Sequence, residues 1–298
     1  MVLLKYSKEE FMLLGLQLSG YSYRTIEKNC YATNLSRFKD SYYVTPDTCE
    51  KIFEDIQADD CKAKVAKPCP RYLLLGLYYL KKYPTKHQMA AFMDASEKTM
   101  LSQSSKYVDA LQGLKEKKIV WIFDNNENLE ETFIISVDGI HCRVQEPRLD
   151  PSSKWYSSKH HGAGLVYELG IAIWHNQLVW INGPFPCANN DWSVFKKKDG
   201  LKDKIPDGKK AVADKIYRYN RNKVGADNDH DDPDVKKFKQ RVKARHESAN
   251  CRLKAFRILE DNFRTTGERR LGRHKAAMEA CCVLVQYEME NNRPLFKV

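Results

Sequence analysis

Four acidic residues have the types and settings that two-metal phosphodiester chemistry uses. Divalent ions about 3.5–4 Å apart activate the attacking and leaving oxygens, and two or three carboxylates on rigid backbone must converge to hold them. Asp138 directly follows the apolar run Phe133–Val137, where a strand is expected to end and present its side chain at the carboxyl edge of a sheet. Asp214 follows Ala211-Val212-Ala213 in the same way, so the two aspartates meet at one edge if the two strands are neighbours. Each has a plain alternative as a strand-end turn aspartate. Asp191, in Ala188-Asn189-Asn190-Asp191-Trp192-Ser193, stands where a short helix through Phe195 wants an N-cap, which is its alternative reading.

Glu247 is the most telling of the four. It is the only carboxylate between Val235 and Leu259, a stretch that also carries Lys236, Lys237, Lys239, Arg241, Lys243, Arg245, Arg252, Lys254 and Arg257. Such a stripe can hold phosphates while its single acid binds the metal that activates one of them. An intrahelical ion pair with Lys243, four residues earlier, explains the glutamate but leaves the basic surplus without a use.

The elements that must position these groups are read from hydrophobic period. From Ser7 to Leu114 the pattern is mostly helical, broken at Pro46, Pro68, Pro70 and Pro84, with a buried helix over Tyr72–Leu80. A short helix at His87–Met93 and a longer one from Ser96, its N-cap, through Leu111 form a helix–turn–helix-like pair. Its functional reading places Ser96–Tyr107 in a DNA groove; its plain reading is a helical hairpin. At Thr132 the period changes. Strands are expected over Phe133–Val137, Leu165–Trp174 and Gln177–Ile181, the last two joined by a tight hairpin at His175-Asn176 and the latter ended by Asn182-Gly183-Pro184. One long helix is expected over Val235–Phe263 and a last one over Arg273–Met289, covering a face of the sheet.

The expected fold is therefore α/β, a ribonuclease-H-like mixed sheet with flanking helices, preceded by a mainly helical module. Residues 1–125 form the helical, helix–turn–helix-like DNA-binding module in this reading, and residues 126–298 the catalytic domain. An excess of 50 Lys and Arg over 39 Asp and Glu, a net charge of +11, favours a polyanionic partner, here duplex DNA. The nine cysteines are an odd number and the opening MVLLKYSKEE lacks the apolar run of a secretory signal. Reduced, mostly buried thiols are expected, in a nucleus or a prokaryotic cytoplasm. The longest apolar run, around Tyr72–Leu80, is too short to span a bilayer, so no membrane partner is expected.

Val137-Asp138-Gly139-Ile140-His141 resembles the first-aspartate motif of the PIF/Harbinger transposases, members of the DDE superfamily, and of their bacterial insertion-sequence relatives. Tyr156-Ser157-Ser158-Lys159-His160 resembles the Tyr-Ser-x-Lys element that follows it. Gly183-Pro184 through Asp191 is similar to the family's Gly-Pro, small residues, then Asp element, and Ala213-Asp214-Lys215-Ile216-Tyr217 to its Gly/Ala-Asp-x-x-Tyr. Arg241 or Arg245, Glu247 and Leu253-Lys254-Ala255-Phe256 resemble its closing element, with Lys243 where an arginine is usual. Together these cover roughly residues 133–265.

The resemblance implies a transposase or transposase-derived endonuclease that cuts and joins DNA with two Mg²⁺ or Mn²⁺ ions, Asp138 and Glu247 being the first and last ligands. Strand order favours Asp214 as the middle ligand, whereas the Gly-Pro…Asp element favours Asp191. A separate DNA-binding companion protein is implied as a partner, and a homo-oligomer stays open. Asn189-Asn190-Asp191-Trp192 departs from the family's His-Asp-Ser, and a long acidic loop precedes the glutamate helix. The alternatives are a domesticated, catalytically inactive DNA-binding protein and an RNA-directed nuclease of similar topology.

Other motifs have plainer readings. Asp227-Asn228-Asp229-His230-Asp231-Asp232-Pro233-Asp234 begins like a calcium loop, but Asp232 replaces the glycine of the sixth position and Phe238 the glutamate of the twelfth. A solvated loop is expected. Lys159, His160 and His161 are candidates for phosphate contact or proton transfer near Asp138, or simply loop polarity. Trp155, Trp174, Trp180 and Trp192 have the chemistry to stack on unpaired bases, although Trp174 and Trp180 are expected in the core.

Overall fold

The computed structural model describes residues 4–58, 61–124, 130–147, 153–159, 161–217, 220–226, 228 and 230–298. The chain divides into two compact units, the first comprising Met1–Lys117, Lys254–Asp261 and Ala276–Asn291, the second Lys118–Leu253, Asn262–Lys275 and Asn292–Val298. No helix among the described residues is long and apolar enough to cross a membrane.

The first unit is helical. Its elements are α1 (Lys8–Leu18), α2 (Tyr23–Lys28), α3 (Tyr31–Tyr42), α4 (Pro46–Asp55), α5 (Pro70–Lys82), α6 (Lys86–Met93), α7 (Glu97–Gly113) and the short α8 (Lys115–Lys118). Prolines act as starters: Pro46 and Pro70 each stand at the N-terminal end of a helix, where no intrahelical partner is lost. Ser96 caps α7 by accepting from the Thr99 amide, as the sequence suggests, and Thr85 forms a capping box with Gln88 at α6. The helix–turn–helix-like pair α6–α7 packs through Met89, Met93 and Met100 onto Leu75 of α5. Gly76 of α5 lets that helix approach Tyr107 of α7 closely, since a Cβ there would meet the Tyr107 Cβ at 2.9 Å.

The second unit holds a five-stranded mixed sheet. Its strands are β1 (Phe133–Arg143), β2 (Tyr156–Ser157), β3 (Gly162–Ala172), β4 (Leu178–Pro186) and β5 (Lys210–Val212), in the order β2-β3-β1-β5 with β4 also paired to β3. β1 runs antiparallel to β3 and parallel to β5. The short helices α9 (Asp191–Phe195) and α10 (Leu201–Lys204) pack Phe195 and Leu201 with Ile135, Val137 and Ala211. Val242 of α11 (Pro233–Lys254) packs with Ile173 and Val212. A brief α12 (Arg257–Glu260) and a long α13 (Arg270–Asn291) complete the chain. Six of the nine cysteines, at 49, 61, 142, 187, 281 and 282, are buried as free thiols.

Several boundaries depart from the sequence reading. β1 continues through Asp138-Gly139 to Arg143, because the Asp138 carboxylate accepts from the Gly139 amide and from Asn250 of α11, and Gly139 pairs with Glu168 of β3. β4 likewise runs through Asn182-Gly183-Pro184, with a register shift of its pairing between Val166 and Glu168 and Gly183 at φ 142°. The β3–β4 connection is longer than a two-residue hairpin, and Trp174 within it is 45% exposed, its indole N–H donating to the Phe133 carbonyl, so it is not a core residue. The expected Val235–Phe263 helix stops at Lys254 and resumes only as α12. Most of α13 groups with the helical unit and not with the sheet. Its buried Glu279 and Glu288 explain this placement, for they accept from Gln112 and Lys115, and from Thr45 and Thr48.

Candidate active site beside two parallel strands

The pairing of β1 with β5 brings two of the four carboxylates together. Ile135 lies opposite Ala211 and Ser136 opposite Val212, so continuing the parallel register by two residues sets Asp138 level with Asp214. Asp138 thus occupies the middle of its strand, not the strand end expected for it. One of its oxygens accepts from the Gly139 amide at 2.8 Å and the other from the Asn250 side-chain amide at 2.8 Å.

Asp191 reaches the same place from α9. The N-cap of that helix is Asn190, whose Oδ1 accepts the Ser193 amide at 2.8 Å, so Asp191 is not the cap the sequence suggested. It stands instead at the first helical position with its carboxylate over Gly139. A Cβ on Gly139 would overlap Asp191 Oδ1, which gives the glycine of Asp138-Gly139 a packing reason in place of a turn. Burial pushes the Asp191 carboxyl up to about 6, the neighbouring Asp138 and Asp214 carboxylates reinforce this, and Lys159 opposes it.

Glu168 lies directly opposite Gly139 on β3 and is 2% exposed. Burial pushes its carboxyl up to about 7; the Trp180 indole N–H, donating at 2.9 Å, opposes this, and Asp191 adds to it. Its second oxygen, the Tyr217 hydroxyl and the Asn250 side-chain oxygen are buried without a hydrogen-bond partner. Tyr217 is held in the phenol form by burial first and then by Asp191, Glu168, Asp138 and Asp214. Four carboxylates therefore act on one buried hydroxyl.

Helix α11 closes the other side with a stripe at helical spacing. His246 is buried, with Nδ1 2.9 Å from the Ser136 hydroxyl, and burial together with Arg245 lowers its imidazole to about 3, so it is neutral. Lys243, the residue of the intrahelical alternative, pairs with Asp214 at 3.7 Å. Glu247 is exposed, one turn beyond Lys243 and three residues before Asn250. It sits on the same stripe as the two residues that hold Asp214 and Asp138.

These carboxylates supply only hard oxygen donors, the kind that Mg²⁺ and Mn²⁺ take, and the Asp191 carboxyl is raised by burial first and by the neighbouring carboxylates second. Among the described residues, no group of three or more His, Cys, Asp or Glu is gathered closely enough to hold an ion. Asn250 and Lys243 instead engage Asp138 and Asp214. The donor set fits such ions in kind, while its ligands are not drawn together.

Of the further candidates, Lys159 acts electrostatically on Asp191, whereas His160 lies outside the described residues, as do Asp227 and Asp229 of the acidic loop. Asp231 of that loop is paired with Lys239 at 2.6 Å. Glu168, His246 and Asn250 were not singled out by sequence, and Tyr217 entered only as the tyrosine of the Asp214 element. Only Glu168 carried a signal, as the one charged residue inside the apolar run Leu165–Trp174. Comparison with protein-family models, curated proteins and solved structures finds no match to this chain.

Proposed function

We propose that this chain is a metal-dependent DNA endonuclease of the DDE transposase class, the sheet unit being a ribonuclease-H-like catalytic domain and the helical unit, whose bounds replace the 1–125 and 126–298 division expected from sequence, a DNA-binding module. What supports the reading is the parallel pairing of β1 with β5, whose register continued two residues past Val212 would bring Asp138 level with Asp214, and the electrostatic influence of both on Asp191. Asp138, Asp214 and Glu247 would hold the metals, with Asp191 beside them. Bound there, two divalent ions lower the cost of charge on the attacking and leaving oxygens of a phosphodiester.

The protein's own groups have separable tasks. The neutral His246 ties Ser136 of β1 to α11 and so fixes the strand against the helix that carries Glu247. Lys243 and Asn250 neutralise or hydrogen-bond the aspartates when no cation is bound, and a change of rotamer frees either side chain to face a phosphate. Basic residues of α11 attract the DNA backbone, and counterion release makes that attraction salt-dependent.

The test is duplex DNA cleavage in Mn²⁺ by the full chain beside Asp138→Asn, Asp214→Asn and Glu247→Gln, with Mn²⁺-induced thermal stabilisation as a second readout. Cleavage and stabilisation are expected in the parent and neither in Asp138→Asn. A second reading, a DNA-binding protein that has lost catalysis, is favoured by the Lys243–Asp214 and Asn250–Asp138 contacts together with the exposed Glu247. DNA binding with neither cleavage nor Mn²⁺ stabilisation selects that second reading.

A further inference from the structure

A second feature of the sheet unit lies outside the carboxylate cluster. Beyond β5 the chain pairs once more with the sheet, Val224 forming a parallel bridge to Ala211, with the Gly225 amide donating to the Ala211 carbonyl at 2.8 Å. A Cβ on Gly225 would overlap the Phe133 ring, so the main chain lies directly against that side chain. Between this edge and the first turns of α11 is a cavity of about 400 Å³. Lys210, Lys215, Arg221 and Lys239 line it, with Phe133 as an aromatic wall and Asp231 as the one acid among the described lining residues.

Among the described lining residues basic groups outnumber acidic ones. Asp231 is taken by Lys239, which holds its carboxyl below the ordinary range, and Lys239 also donates to the Ala226 carbonyl at 2.9 Å. Lys210 and Arg221 have no carboxylate partner among the described ion pairs. Arginine offers a fork matched to phosphate oxygens and lysine a point charge, and a concave setting concentrates their field.

Two of the cavity's lining residues lie close along the chain to the carboxylate site or to a partner of it. Lys215 follows Asp214 in the chain, and Lys239 stands four residues, about 6 Å of helix, before Lys243, the partner of Asp214. We propose that this cavity is a phosphate-binding subsite that seats a backbone phosphate of the nucleic-acid strand flanking the bond presented to Asp138 and Asp214. This deepens the proposed function and rests on it for the identity of the strand. The phosphate chemistry rests on the cavity alone.

The experiment compares the full chain with the double variant Lys210→Gln, Arg221→Gln, neither residue belonging to the carboxylate site. Binding of a labelled duplex is measured by anisotropy across a salt series without divalent metal, so loss of catalysis has no influence on the readout. Each phosphate contact removed lowers the slope of log K against log salt by roughly 0.9, so a slope shallower by about 1 to 2 is expected, with weaker binding at low salt. Unchanged slope and affinity in a variant that melts like the parent overturn the subsite.

A second arm separates the sources of phosphate. Inorganic phosphate titrated against the parent should shift the Lys210 and Gly225 amide resonances weakly, and duplex DNA should shift the same amides and displace it. Saturable inorganic phosphate binding that duplex fails to displace assigns the cavity to a free phosphate compound and overturns the strand assignment. If the double variant loses slope while the parent never cuts DNA, the subsite holds and the catalytic reading fails. The reverse pattern leaves catalysis and removes the subsite.

Discussion

Buried acids in the two units are treated in opposite ways. In the helical unit Glu279 accepts from Gln112 and Lys115, each at 2.6 Å, and Glu288 accepts from the Thr45 amide and the Thr48 hydroxyl, although its second oxygen stays unmatched. In the sheet unit Glu168 has one indole donor and faces Asp191, which in turn faces Asp138 and Asp214. A cluster of buried acids with raised pKa is what the proposed metal site would require, since functional sites concentrate such groups. Buried charges without partners cost several kcal/mol, roughly, and such groups stay protonated until a cation or a substrate compensates them.

The largest effect that would sharpen this contrast is on chemistry. Asp138→Asn, Asp214→Asn and Glu247→Gln should each reduce Mn²⁺-dependent cleavage to background, while DNA binding stays equal or becomes tighter as carboxylate repulsion of phosphate is removed. Full cleavage by Glu247→Gln would break the site assignment. In the helical unit, by contrast, Glu288→Ala should leave the Thr45 amide and Thr48 hydroxyl unmet, at about 2 kcal/mol of stability by denaturant melting.

Glu168→Gln should move stability the other way. A carboxyl whose folded value is raised binds its proton more tightly when folded, so its contribution is lost as pH rises from about 4.5 to about 7. Removing the charge should therefore stabilise the protein by roughly 1–3 kcal/mol at neutral pH and flatten its stability profile over that window. A profile unchanged by the substitution would place Glu168 with the satisfied acids. The smallest stability effect is expected at Asp191. Because Asn190 caps α9, Asp191→Asn should cost no cap energy and should raise stability slightly above about pH 6. A loss of about 1 kcal/mol at neutral pH would restore the capping role.

These contrasts also mark what the sequence could convey. Hydrophobic period located α5 to α7 and the Ser96 cap, since those features are local. It ended β1 at Val137 because Asp-Gly is a common turn pair, whereas in the fold Asn250, more than a hundred residues away, satisfies Asp138 and Asp191 occupies the space over Gly139. It gave α13 to the sheet because an apolar stripe does not say which surface it meets. The neighbourhood of Asp138 and Asp214 was legible as a condition on strand order, which the parallel β1–β5 pairing satisfies. The placement of Glu168 and Tyr217 beside the aspartates, and the cavity of about 400 Å³, depend on contacts between distant segments, which no local pattern encodes.

The most direct measurement is a crystal structure of the full chain soaked in Mn²⁺, read by anomalous scattering. Two peaks about 3.5–4 Å apart are expected at Asp138 and Asp214, with Glu247 turned to join them and the Asn250–Asp138 and Lys243–Asp214 contacts released. Crystals saturated with Mn²⁺ that keep both contacts and show no metal at either aspartate would contradict the account.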